Sequence, residues 1–391
     1  MAFLRHAICN PAPEDRETAM VAITSTSAYA AYQGYGTANS TVSTAKAATA
    51  TTSIGAANPA ATDVTLSDAA RAALAERDLA TVLVDARSKL TRLLEDAGRT
   101  SPLSGGQLAL DLSSLDQREL YAMSSDDSFT ADEREAASLE MQRRFEAALA
   151  GPAAITNVTG DFTGLYKAAA AYLDSLGTEE RASADWQAGR AAVTEGLKQL
   201  KDNPAELPDA GPSDPVALYR VLSEAGDTAE PPSMTDLASN ARTTLDKMYA
   251  EAVANGRVPT FNRATTVGTY IDISGFSSRA LSAMVLDSEG NFTGEEVRAA
   301  QSVLQAKSGA TLLAGFQSAN KSGDPTAFSQ NIISAYSSLS PEERQAVGWS
   351  DQLYQAAMES YASTSKLMEM FGQATSGSAG GDSLAALLGG Q

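Results

Sequence analysis

Phe129-Thr130-Ala131-Asp132-Glu133 and Phe292-Thr293-Gly294-Glu295-Glu296 are the two stretches from which the fold of this chain can be read. Each joins a phenylalanine to Thr-x-x-Glu, the pattern in which a threonine hydroxyl and a glutamate carboxylate satisfy the free N–H groups at a helix start. Matches extend outward from both in the same order. Ala86-Arg87 with Leu90 matches Ala241-Arg242 with Leu245, and Leu110-Asp111-Leu112-Ser113 matches Ile271-Asp272-Ile273-Ser274. Downstream, Gly160-Asp161, Glu179-Glu180-Arg181 and Trp186 match Gly323-Asp324, Glu342-Glu343-Arg344 and Trp349. The separation of matched residues grows from 155 to 161 to 163, and only where turn residues predict loops, which tolerate insertions. Convergent composition would not hold register across so many motifs. The chain is read as a tandem duplication of one helical unit.

Each unit has the same expected contents. A first helix carries Ala-Arg-x-x-Leu. An alternating segment with strand period follows, Leu108-x-Leu110-x-Leu112 or Val267-x-Thr269-x-Ile271-x-Ile273. A helix leads to Met123 or Met284, then an acidic loop, then the helix that starts at Phe-Thr. A further helix has an apolar stripe of Leu165, Ala169, Tyr172, Leu173 and Leu176, matched by Phe328, Ile332, Tyr336 and Leu339. The last begins at Thr178 or at Ser340-Pro341, and the repeated tryptophan reads as its core anchor. The fold class is therefore mainly all-α. Two tandem homologous helical domains, 64–200 and 234–372, each hold a short strand-like segment.

Composition changes outside the copies. Residues 1–62 read as a disordered leader, rich in Ser, Thr and Ala from Met20; either the natural start is Met20 or residues 1–19 are a genuine disordered tail. A helix is expected from an N-cap at Ser67, running with interruptions to Asp96. Six of the 14 prolines fall between 201 and 235, which makes 201–233 a Pro-rich linker with a helical island near Val216–Ala225. Residues 373–391 read as a flexible Gly/Ser tail.

Charge and residue inventory exclude several kinds of chemistry. With 29 basic and 48 acidic residues the chain carries −19, and its cations are scattered. Nucleic-acid binding, which needs a basic stripe, is not expected, nor is docking on anionic lipid. One histidine, His6, and one cysteine, Cys9, rule out Ser-His-Asp and Cys-His catalysis and Cys-based zinc sites in the folded core. No apolar run is long enough for a membrane span or a Sec signal peptide. No phosphate-binding glycine loop is present.

One loop offers metal chemistry. Leu286-Asp287-Ser288-Glu289-Gly290-Asn291-Phe292-Thr293-Gly294-Glu295-Glu296-Val297 resembles an EF-hand loop. The resemblance implies Asp287, Glu289, Asn291 and Glu296 as calcium ligands, with Phe292 at the apolar loop position. The EF-hand loop has 12 residues and a glycine at the sixth; here the span from Asp287 to Glu296 is ten and that glycine is missing. In the first copy the loop shrinks to Ser125-Asp126-Asp127-Ser128. Capping alone accounts for the shared Thr and Glu, and that is the preferred reading, with no cofactor expected. Glu179-Glu180 and Glu342-Glu343 are expected at solvated helix starts, answering the helix dipole rather than sharing a proton.

Val64-Thr65-Leu66-Ser67-Asp68-Ala69, following a Ser/Thr/Ala-rich leader, resembles the segment that opens the helical part of bacterial flagellar anti-sigma factors. In that family the leader stays unfolded to pass the flagellar export channel. The resemblance implies an exported or flagellum-associated protein. The expectation is a non-catalytic acidic interaction or structural protein with protein partners, cytoplasmic or exported without a Sec signal. The alternatives are a calcium-responsive second copy, or an enzyme using only carboxylate, tyrosine or lysine chemistry.

Overall fold

Thirteen helices and two short strand pairs form the described residues, 78–376, of the computed structural model, and the fold is mainly all-α. The leader, the Ser67 cap and most of the tail lie outside those residues. The first copy holds α1 (Leu79–Ala97), β1 (Leu103–Ser104), β2 (Gln107–Leu108) and α2 (Gln117–Ser125). It continues through α3 (Ala131–Thr159), α4 (Thr163–Asp174), α5 (Thr178–Arg181) and α6 (Ala184–Gln199). After α7 (Pro215–Ala225) the order recurs: α8 (Met234–Ala254), β3 (Val258–Thr260), β4 (Gly268–Tyr270), α9 (Ser278–Leu286) and α10 (Gly294–Ser322). The second copy closes with α11 (Ala327–Ser337), α12 (Pro341–Val347) and α13 (Asp351–Ser376).

Local chemistry explains most boundaries. Thr130–Glu133 and Thr293–Glu296 are complete capping boxes that start α3 and α10, both 29 residues long. Ser340, Pro341 and Glu343 start α12 in the same way. Helix α1 ends at Gly98 in the left-handed region, where the N–H groups of Gly98 and Arg99 close onto Glu95 and Leu94 carbonyls. Thr178 is the first residue of α5 rather than its cap; Gly177 takes the cap position without a side-chain bond.

The strand-like segments pair differently in the two copies. β1 and β2 form an antiparallel hairpin across Gly105-Gly106, both at positive φ, as a two-residue turn with right-handed strand twist requires. β3 and β4 are parallel, joined by residues 261–267. The second copy's segment therefore stands off as a longer loop.

Three apolar clusters form the core. Leu90, Leu112, Leu120 and Met141 sit in the first half of copy one. Phe145, Tyr166, Tyr172, Leu173 and Val193 fill its second half, where Val216 and Tyr219 of α7 join them. Leu245, Ile271, Met284 and Leu304 fill the first half of copy two. The expected stripe on α4 is buried throughout. In copy two, Tyr336 on α11 and Leu339 just beyond its end are buried, Ile332 is half-buried and Phe328 is 40% exposed. The proline-rich stretch is more than a spacer. α7 packs on α4 and α6, the Ala229 N–H donates to Glu146, and the Pro232 carbonyl accepts from Arg279.

The copies touch along α1 against α8 and α3 against α11. At the first contact Thr244 Oγ1 donates to the Asp96 carbonyl at 3.2 Å, Lys247 to the Glu95 carbonyl, and Asn240 Nδ2 to Ala109 O at 2.9 Å. At the second, Gly151 lies so close to Ser334 that a Cβ would sit 2.4 Å from its Cα. Any side chain there would force the helices apart.

Neither tryptophan is a central anchor, contrary to the sequence reading. Trp186 is half-buried in the first turn of α6, packs on the edge of the second cluster and donates Nε1–H to the Leu173 carbonyl at 2.8 Å. Trp349 is half-buried in the connection between α12 and α13. Tyr166 and Tyr172 hold the central positions instead.

Candidate functional site

The acidic loop begins at Asp287, a non-glycine residue at φ 38°, in the left-handed region that aspartate tolerates better than most. Its Oδ1 accepts from the Asn291 N–H at 2.7 Å and the Phe292 N–H at 3.2 Å. Asn291 Nδ2 donates to Glu289 Oε2 at 3.0 Å. The loop thus closes on itself as a turn.

Glu296 points elsewhere. It is almost fully buried, and its Oε2 accepts from the Thr293 N–H at 2.6 Å. Its Oε1 accepts from Arg242 Nη1 at 2.8 Å and from the Tyr249 hydroxyl at 2.7 Å. Burial pushes its pKa up, but these donors outweigh it and hold the group below its ordinary value. A guanidinium and a phenol occupy the oxygen that a cation would need. The four residues expected as calcium ligands are not gathered on one centre, and among the described residues no three acidic, histidine or cysteine side chains are placed to hold a metal.

The same clasp recurs in copy one. Arg87 Nη1 reaches both oxygens of Glu133 at 2.9 Å, and its Nη2 donates to the Ser128 carbonyl at 2.6 Å. The guanidinium lies over the Phe129 ring at 3.8 Å; Arg242 lies 5.6 Å from the Phe292 ring. The arginine of Ala-Arg-x-x-Leu, the aromatic residue and the capping glutamate are therefore one device used twice. It ties the first helix of each unit to the start of the long one.

A second repeated tie involves the paired glutamates. Glu180 and Glu343 are 1% and 2% exposed, so the second carboxylate of each pair is buried rather than solvated, while Glu179 is half-buried and Glu342 exposed. Arg279 of α9 pairs with Glu343 at 2.7 Å, and its counterpart Arg118 of α2 pairs with Glu179, while Gln117 donates to Glu180 at 3.3 Å. The helix before the acidic loop reaches across to the short helix. Arginines at matching positions in α2 and α9 were the sequence signal for this, and it was missed.

Other buried carboxylates are committed in the same manner. Glu119 accepts from the Asp116 N–H and pairs with Lys89 at 2.8 Å. Glu140 is held by Arg143 and Arg144, and Asp214 accepts from the Val216 N–H and the Tyr166 hydroxyl. Burial works against the Glu140 anion, yet the two guanidiniums bring its pKa down to about 2. Among the described residues no helix is long and apolar enough to cross a membrane. No family model matches the chain, and no curated protein or solved structure does either.

Proposed function

We propose that the chain is a non-catalytic, acidic helical protein that works by binding other proteins. The observation that carries this reading is how the buried carboxylates are used. Each accepts hydrogen bonds from a helix start, from a neighbouring element or, at Glu140, from an arginine one turn away. A general acid or base must instead present its carboxyl to a substrate. Exposed apolar side chains support the binding half of the reading. Leu313, Phe316 and Phe328 on α10 and α11, and Leu367, Met368 and Met370 on α13, face solvent. Export through a channel rests on the leader's resemblance alone, and those residues lie outside the described ones.

The test is site-specific photo-crosslinking in the source cells. A benzophenone amino acid placed at Phe328 or Met370 should give one adduct of a defined partner, identified by mass spectrometry. The same probe at Val84, exposed on α1 of copy one, should not. No adduct at either position, or the same adducts at all three, would overturn the reading.

A further inference from the structure

The two copies differ on the face that α3 and α10 turn toward the strand-like segment. In copy one that face is closed. Arg144 Nε bonds Glu140 at 2.7 Å, and Arg144 Nη2 donates to the carbonyls of Leu112 and Leu115 at 3.2 and 3.0 Å. In copy two the matching positions hold Lys307 in place of Arg144 and Val303 in place of Glu140. The partner carboxylate is gone. The longer β3–β4 segment leaves a groove of about 840 Å³ against α10.

Three cations, Arg263, Arg298 and Lys307, line this groove against one carboxylate, Glu295, although the whole chain carries −19. Phe261 and Tyr270 form an aromatic wall opposite α10, and Arg263 Nε donates to the Tyr270 hydroxyl at 2.9 Å. Among the described residues neither Arg298 nor Lys307 has an ion pair. Lys307 is half-buried; burial pulls its pKa down, and only Asp111 of copy one pulls it back up. An ammonium in that position favours an incoming anion.

The spacing suggests what kind of anion. Arg298 and Lys307 stand on opposite edges of the α10 face, nine residues apart, which is about 13.5 Å along the helix axis at 1.5 Å per residue. An extended chain laid along α10 covers that axial component in about four residues at roughly 3.3 Å each, with alternate side chains on one face. Nine residues also set Arg298 and Lys307 about 180° apart around the helix, so their long side chains reach the groove from its two edges. We propose that the groove of copy two binds an extended acidic peptide segment of a partner, with two carboxylates about four residues apart and an apolar side chain between them. The carboxylates meet Arg298 and Lys307, and the apolar side chain lies between Val303 and the Phe261–Tyr270 wall. This rests on the binding reading above and names the chemistry of one partner.

The test uses the full chain and a fluorescein-labelled peptide, Gly-Asp-Ala-Leu-Ala-Asp-Gly, followed by anisotropy. Binding should saturate, and a peptide with lysine in place of both aspartates should not bind. The double variant Arg298→Ala, Lys307→Ala should bind about tenfold more weakly or worse, while Lys201→Ala, in a separate cleft of copy one, should bind as the parent does. Val303→Glu restores the carboxylate that copy one has, so it should engage Lys307 and abolish binding with the melting temperature kept. Equal binding of both peptides, unchanged binding in the double variant or Val303→Glu, or complete displacement by inorganic phosphate at about the peptide's concentration would overturn the assignment. A crosslinked partner at Phe328 together with no peptide binding would overturn the groove alone and leave the binding reading standing.

Discussion

At the scale of single residues, the clasp makes a quantitative claim. Arg87 with Glu133, and Arg242 with Glu296, each join a half-exposed guanidinium to a buried carboxylate that also caps a helix. A double-mutant cycle with Arg→Ala and Glu→Gln should return a coupling of about 1 kcal/mol in each copy. A coupling indistinguishable from zero would mean that the caps stand alone. Burial raises the pKa of Glu133, but the Thr130 N–H and Arg87 outweigh it, so its folded-state pKa is lowered, as is that of Glu296. A lowered folded pKa gives stability that is present above the unfolded value and lost as pH falls through the folded one. Acid titration should therefore cost stability below about pH 4.5, and Glu133→Gln should flatten that limb. Glu140, held at about 2, should go on contributing at lower pH than its neighbours. Calcium is expected to do little. Because Glu296 is engaged by Arg242 and Tyr249, about 10 mM calcium should shift the melting temperature by less than about one degree, as magnesium does, in the parent and in Asp287→Ala alike. A calcium-specific rise lost in Asp287→Ala would restore the EF-hand reading.

Among elements, α7 separates what the sequence could tell from what it could not. Helix existence, both capping boxes and the α4 stripe were legible, because they rest on contacts within a few residues. The proline count also placed a short helix in the linker, but nothing local said that it would be built into copy one. The clasp was hidden for the same reason: Arg87 and Glu133 are 46 residues apart, and only their joint repetition gave a clue. The acidic loop offered two readings through its own composition, a cation loop and the preferred capped turn. Asp287, Glu289 and Asn291 have the residue types of a cation loop, while Glu296 serves the helix below it. The role of α7 can be measured in the intact chain. Tyr219 is buried edge-on to Phe145 with ring centroids 6.5 Å apart, whereas Leu218 is exposed. Tyr219→Ala should cost about 3–5 kcal/mol and Leu218→Ala less than about 1 kcal/mol. Equal small costs would return α7 to the role of a spacer.

Over the whole molecule, one clasped helical unit is built twice and joined along α1–α8 and α3–α11. In copy one Glu140 and its arginines close the α3 face; in copy two Val303 stands in place of that carboxylate and a groove lies against α10. On the proposed reading, the scaffold is shared by both copies and the binding surface belongs to the second. The clasp residues are kept in both, and the changes fall on faces that the clasp does not need. The most direct measurement is native-state amide exchange across the full chain, which reads the stability of each element separately. The slowest amides are expected at matched buried positions in both copies, around Leu90 and Met141 in one and Leu245 and Leu304 in the other. Slow exchange confined to copy one, with Leu245 and Leu304 exchanging as fast as the exposed end of α13, would contradict that expectation.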